Sequence, residues 1–451
     1  VSVIGDAASN LGAARAQMGL SLGWHIVFAC LGVGFPALIL IAEWRGIHGD
    51  ADAMRLARTW AKVAGVLFAV GAVSGTILSF EMGILWPRLM GEFGAVFGLP
   101  FALEGFAFFI EAIFLGIYLH AWDRLSPMRH LATGIPVAVA GVASAFFVVT
   151  ANSWMNDPQG FTMVNGRVTD PQPLVAMFNK ATPVETIHMI LAAFMVTGFL
   201  VASVYAAARL RGRTDRYHRV GLILPLIVAT VITPAQIVVG DIAAREVADN
   251  QPIKLAAMEG IGATEVGAGE HIGGIFINGQ LQFAIVLPHV LAFLAKGDPN
   301  ATVVGLDSVP AADRPEAVTL IHLSFDTMVG IGFLLLGLGI WMLVRWIRRR
   351  GPPTSRWFLR AALVAGPGAV VAMECGWITT EVGRQPWIVY NVMRTSDAVN
   401  PAPGLYWGLV VLVIVYTGLT AVTLFVLRRI KNANANANAK ADANADANVS
   451  V

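Results

Sequence analysis

The chain has 451 residues, of which 56% are hydrophobic and 13% charged, with a formal net charge of +2. A soluble domain carries about 25% charged residues, so a soluble enzyme is excluded on composition. No separate basic domain exists to bind nucleic acid, and the two cysteines, Cys30 and Cys375, both fall in apolar stretches without zinc or iron–sulfur spacing.

A helix needs about 20 mostly apolar residues to cross hydrocarbon. Nine stretches qualify, near 18–42, 61–83, 98–121, 131–152, 187–208, 219–240, 320–344, 360–380 and 404–427. The first lacks a basic leader region and a cleavage motif, so it reads as a retained span. An all-α integral membrane protein is expected.

The loops set the orientation. Arg45, Arg55 and Arg58 follow the first span, and Arg124 and Arg129 follow the third. Arg209, Arg211, Arg213, Arg216 and Arg219 follow the fifth, and Arg345, Arg348, Arg349, Arg350, Arg356 and Arg360 follow the seventh. The alternate loops are poor in Arg and Lys, and Arg428, Arg429 and Lys431 close the last span. The positive-inside rule then puts the N-terminus outside and the C-terminus in the cytoplasm. The longest loop, about 241–319, lies outside, and loops of that length are functional or mobile. The stretch 432–451, an Asn-Ala-Asp run, has no apolar periodicity and is expected to be disordered.

Ionisable groups inside spans cost several kcal/mol each and mark a pathway or a binding site. His25, Glu81, Glu104, His188 and Glu374 fall toward the outer ends of their spans, as does Met328. Glu111 lies seven residues after Glu104, on the same helix face and about 10 Å deeper, which suits a proton relay from the cytoplasmic side. Taken alone, Met328 reads as core packing and His188 as an interfacial hydrogen-bonder. His48, His120, His130 and His218 sit at basic span ends and read as solvated; His271, His289 and His322 show no ligand spacing.

Residues 373–387 read MECGWITTEVGRQPW. This resembles the signature of subunit I of cytochrome bd-type quinol oxidases. Arg15-Ala-Gln17 with His25, LEGFAFFIEAIFLG at 103–116, TANSWM at 150–155, the region of His188, KLAAMEG at 254–260 and MVGIGFLLLG at 328–337 follow in the same order. The resemblance spans the chain except its tail. SFEMGILWP at 79–87 and the short outer loop resemble the cyanide-insensitive branch.

The resemblance implies a terminal respiratory oxidase subunit that oxidises membrane quinol, reduces O2 to water, and separates charge without pumping. It implies two haem b groups, one low-spin and one high-spin, with haem d or a third haem b at the O2 site. His188 and Met328 would ligate the low-spin haem. His25, Glu104 and Glu374 would serve the two high-spin haems, in an order left open. Lys254 and Glu259 would bind and deprotonate quinol, Glu104, Glu111 and Ser144 would form the O2 site and proton path, and Arg384 and Trp387 would support a haem. A second large membrane subunit, subunit II, is the implied partner, with a small single-span subunit as a further one, in a prokaryotic plasma membrane. One departure stands out: Asp326, two residues before Met328, replaces a basic residue of several members. A proton-coupled secondary transporter and a haem relay that does not reduce O2 are the alternative readings.

Overall fold

The computed structural model describes the backbone of residues 2–449 and the side chains of residues 10–433. The expected disordered stretch at 432–451 falls almost wholly outside the residues whose side chains are described. Among the described residues, nine helices are long and apolar enough to cross a membrane. They are α1 (Asn10–Ile47), α2 (Ala51–Leu85), α3 (Pro87–His120), α4 (Pro127–Asn156), α6 (Thr182–Leu210), α7 (Arg216–Asn250), α10 (Val318–Arg349), α11 (Arg356–Gly383) and α13 (Leu405–Ala433). Short helices intervene: α5 (Pro173–Met177), α8 (Pro252–Glu259), α9 (Val290–Lys296) and α12 (Thr395–Ala398).

All nine expected spans form, and most run longer than their apolar stretches. The reason is local. Pro87, Pro127 and Pro252 open helices where a missing N–H costs nothing. Asp215 accepts from the His218 N–H, and Ser355 from the Phe358 N–H, capping α7 and α11. The segment 84–97, read as a loop, is almost entirely helical: α2 and α3 are separated by Trp86 alone. Internal prolines at 36, 100, 136, 225, 234 and 367 stay within helices, as membrane helices tolerate.

The chain divides into two compact units. The first holds residues 1–81, 110–139 and 401–451. Here α1 packs along α13: the Gln17 amide donates to the Leu405 carbonyl at 2.8 Å, and the Tyr416 hydroxyl donates to Ser21 Oγ at 3.0 Å. Gly408 permits this approach, because a Cβ there would meet Gln17 Oε1 at 2.3 Å. Nearer the basic span ends, Glu43, Tyr118 and His130 form a buried triad. Tyr118 donates to Glu43 Oε2, and His130 Nδ1 lies 2.6 Å from Glu43 Oε1. His130 is 2% exposed, which corrects its reading as solvated. The basic flank placed it at a helix end, but only packing brought Glu43 from α1 against it.

The second unit holds residues 82–109 and 140–400. α6 packs against α7 and α11, and α10 against α11. Gly198 lets α6 and α7 meet closely, since a Cβ there would lie 2.8 Å from both the Ala229 Cβ and the Pro225 carbonyl. The segment after α7 is built rather than loose. Its hairpins pair Glu270–Ile272 with Ile285–Leu287 and Ile275–Ile277 with Gln280–Gln282. Leu255, Ala257, Met258, Ile261, Leu291, Leu306 and Ile321 form a core beneath them.

Candidate functional site

In the first unit, α1 presents His25 to α2. Its Nδ1 lies 2.7 Å from Ser74 Oγ, and the ring edge faces Gly75, where a Cβ would meet Cε1 at 3.1 Å. Glu111 lines a cavity of about 20 Å³ with Leu31, Phe35, Phe68, Leu115 and Val137. That volume is enough for about one water. Glu81 is 6% exposed.

In the second unit, Ser144 donates to Glu104 Oε1 at 3.2 Å, so α4 and α3 bring two expected site residues together. His188 on α6 faces α7, with the Gln236 amide nitrogen 3.2–3.3 Å from its ring nitrogens. Gly240, one turn further, leaves room for the ring: a Cβ there would lie 3.4 Å from His188 Cε1. On α11, Gly376 does the same for Met328, whose Sδ would lie 2.9 Å from a Cβ. Glu374 is two residues before Gly376 on that helix. His25, Glu104, His188, Met328 and Glu374 are all half-buried.

The expected quinol residues separate. Lys254 and Glu259 share α8 but face different surroundings. Lys254 lines a cavity of about 230 Å³ with Asp313, Arg384, Trp387, Tyr390 and Asn391, whereas Glu259 is not in its wall. Asn156 is the hub behind this wall. Its side-chain oxygen accepts from Lys254 Nζ at 3.4 Å and Arg384 Nη1 at 3.2 Å, and its Nδ2 donates to Glu185 Oε1 at 2.9 Å. Arg384 also donates to Glu381 at 2.7 Å, and Glu381 accepts from Asn152. The Arg384 Nε is buried without a partner. Burial lowers the Lys254 pKa to about 8, with Glu185 and Glu381 partly opposing and Arg384 adding to the shift. Trp387 lies under the Arg394 guanidinium, which is 4.9 Å from its ring centre.

Glu259 instead lies with Glu270 and Asp326. Burial raises its pKa, and both carboxylates add to the rise. Glu270 is raised to about 7 by burial and then by Asp326, with His322 opposing. His322 is fully buried between the Met258 and Gly273 carbonyls at 2.7 and 2.9 Å. Asp326 accepts the Gly273 N–H at 2.6 Å, so the acidic departure ties the hairpins to α10.

Among the described residues, no three His, Cys, Asp or Glu side chains converge to hold a bare metal ion. The donors fit haem instead: single imidazole, thioether and carboxylate groups on separate helices, two of them faced by a glycine and one by a glycine and a hydroxyl. Sequence reasoning missed Asn156, Glu185, Glu381, Ser74, Gln236 and Glu270. Glu185 had a signal, as a carboxylate three residues before His188 at a span end; the others became visible only through their partners.

The sequence profile of cytochrome bd terminal oxidase subunit I matches residues 13–435. The chain belongs to this family. The transporter alternative falls with that match. A cytochrome bd menaquinol oxidase subunit I assigned as putative in Bacillus subtilis (strain 168) is 36% identical over 426 residues, covering 92% of this chain and 95% of the relative. The cytochrome bd ubiquinol oxidase subunit 1 of the same organism is 29% identical, with 94% of each chain covered. The solved structure of bd oxidase from Geobacillus thermodenitrificans superposes with a TM-score of 0.88 at 37% identity, covering 94% of this chain and 99% of that one. The cytochrome bd family works with haem and quinol and pairs subunit I with a subunit II, so this chain is a multi-pass membrane subunit of a quinol:O2 oxidoreductase.

Proposed function

We propose that this cytochrome bd subunit I oxidises quinol at the cavity walled by Lys254, Asp313, Arg384 and Trp387. The observation that carries the reading is the buried Lys254 ammonium on that wall, which has a single side-chain hydrogen bond among the described residues. Its remaining donors can hold a quinol oxygen, while Trp387 and Tyr390 offer aromatic faces to the ring. Glu185 and Glu381 compensate the cationic wall. Glu259, in its own carboxylate cluster, takes a proton rather than contacting the ring.

His188 and Met328 hold a low-spin haem b, and His25, Glu104 and Glu374 serve two high-spin haems, the O2-reducing one being haem d or a third haem b. Bound haem would supply electron transfer at the site of His188 and Met328, and O2 reduction at a site served by His25, Glu104 or Glu374. The protein's residues supply position and protons. Glu111 passes protons toward Glu104, which Ser144 holds by its hydroxyl. Arg384 has a spare Nε for a propionate. With the N-terminus outside, quinol protons leave on the outer side and consumed protons enter from the cytoplasm, separating charge without a pump. Residues up to 431 form the membrane domain. Subunit II and a small single-span subunit complete the complex in the prokaryotic plasma membrane.

The test is a dithionite-reduced minus air-oxidised spectrum of the purified complex, with and without carbon monoxide, beside quinol-dependent O2 consumption. Haem b bands, a carbon monoxide-sensitive high-spin haem and quinol oxidation are expected. Haem that binds no carbon monoxide would favour the electron relay.

A further inference from the structure

His25 and Ser74 meet on facing faces of α1 and α2, and the direction of their hydrogen bond can be worked out by counting donors. Ser74 is fully buried. Its Oγ lies 2.7 Å from His25 Nδ1, 3.0 Å from the Gly71 carbonyl and 3.2 Å from the Val70 carbonyl. The two carbonyls can only accept, and the hydroxyl has one hydrogen. If that hydrogen goes to Nδ1, the hydroxyl makes one bond and gives up the carbonyls. If it goes to a carbonyl, as buried serines in helices commonly arrange, Oγ is free to accept Nδ1–H, and two bonds form. An added buried hydrogen bond favours the second arrangement.

We infer that Ser74 is a positioning residue that fixes His25 as the Nδ1–H tautomer and so presents Nε2, with its lone pair, to haem iron. This rests on the reading of His25 as an iron ligand. The neighbouring residue completes the arrangement. Gly75 lies against the other ring edge, where a Cβ would stand 3.1 Å from Cε1 and 3.6 Å from Nε2. A hydroxyl at 74 and no side chain at 75 therefore orient one edge of the imidazole and leave its ligating edge uncrowded. Outer partners of this kind set the ring orientation and strengthen its donation to metal. His188 has no such device, because the Gln236 amide nitrogen is about equally near both ring nitrogens at 3.3 and 3.2 Å. The tautomer is set locally at one histidine and not at the other.

The experiment uses the complete oxidase complex with Ser74→Ala, Ser74→Thr and His25→Ala. The readouts are haem content, carbon monoxide difference spectrum and the iron–histidine stretching band of the reduced high-spin haem. The low-spin haem bands report folding in every variant. Ser74→Ala is expected to weaken haem retention at this site by roughly 10- to 100-fold and to lower the stretching frequency, with the low-spin bands unchanged. Ser74→Thr, which keeps the hydroxyl, restores the band. If His25→Ala removes a high-spin haem but Ser74→Ala matches wild type in all three readouts, the role of Ser74 is overturned and the ligand stands. If His25→Ala keeps the full haem content and the full carbon monoxide spectrum, the ligand itself is overturned.

Discussion

The Lys254 ammonium donates to the Asn156 side-chain oxygen at 3.4 Å, across 98 residues of sequence. Through that contact the last turn of α4 decides where the amine of α8 points. Asn156 also holds Arg384 and Glu185, so one neutral amide organises two buried cations and a carboxylate.

Asn156→Leu removes all of these bonds at once. Each hydrogen bond to a charged group is worth about 1.5–3 kcal/mol, so kcat/KM for quinol is expected to fall by at least about tenfold. Haem content should stay at the wild-type level, as measured by pyridine haemochrome. Steady-state kinetics matching wild type would remove Asn156 from the quinol site.

Burial lowers the Lys254 pKa to about 8, so the amine is mostly charged below that pH and mostly neutral above it. Quinol KM is expected to rise as pH increases through about 8, and Lys254→Met should have a high KM without that inflection. A pH series of initial rates on the two proteins decides the matter. An inflection that survives in the variant belongs to another group.

The Glu259–Glu270–Asp326 cluster gives a second pH response, this one in stability. The Glu270 pKa is raised from 4.5 to about 7, so the folded state holds more protons than the unfolded one between those values. Stability therefore falls as pH rises through that window and levels off above it. Amide exchange in the hairpins at 270–287 should speed up between pH 5 and pH 7.5, beyond the intrinsic pH effect, and Glu270→Gln should flatten the change.

Met328→Leu keeps the volume of the side chain and removes the thioether. Loss or a strong shift of the low-spin haem bands is expected in the reduced spectrum. Gly376→Ala should perturb the same bands, because a Cβ there would lie 2.9 Å from Met328 Sδ. Spectra that remain at wild type in both variants would refute the ligand.

Glu111→Gln should slow turnover several-fold with haem content intact, measured as O2 consumption per haem. Its cavity holds space for about one water and is otherwise apolar, so no nearby side chain in its wall can substitute. Unaltered turnover would take Glu111 out of the proton path.

Much of this protein is legible in its sequence because the bilayer is a strict solvent. Every span had to be a long apolar helix, and any His or Glu inside one needed a reason to be there. His25, Glu104, His188 and Glu374 were therefore conspicuous, and MECGWITTEVGRQPW carried the family. His130 shows where such reasoning stops. Its basic flank suggested solvent, but Glu43 and Tyr118 enclose it. Helix edges also escaped, since Pro and cap residues, not apolarity, ended them at Leu85 and Pro87.

The sequence by itself determined the solvent, the number of spans, the residue types able to ligate haem, and the family. Only the tertiary structure decided partners. Lys254 and Glu259, five residues apart on one short helix, face different neighbours, and Asn156, Ser74 and Gln236 gain meaning from groups 98, 49 and 48 positions away. Hydrophobic length is a property of one segment and is written in consecutive residues. A hydrogen bond between helices depends on how their faces pack, and no single segment contains that.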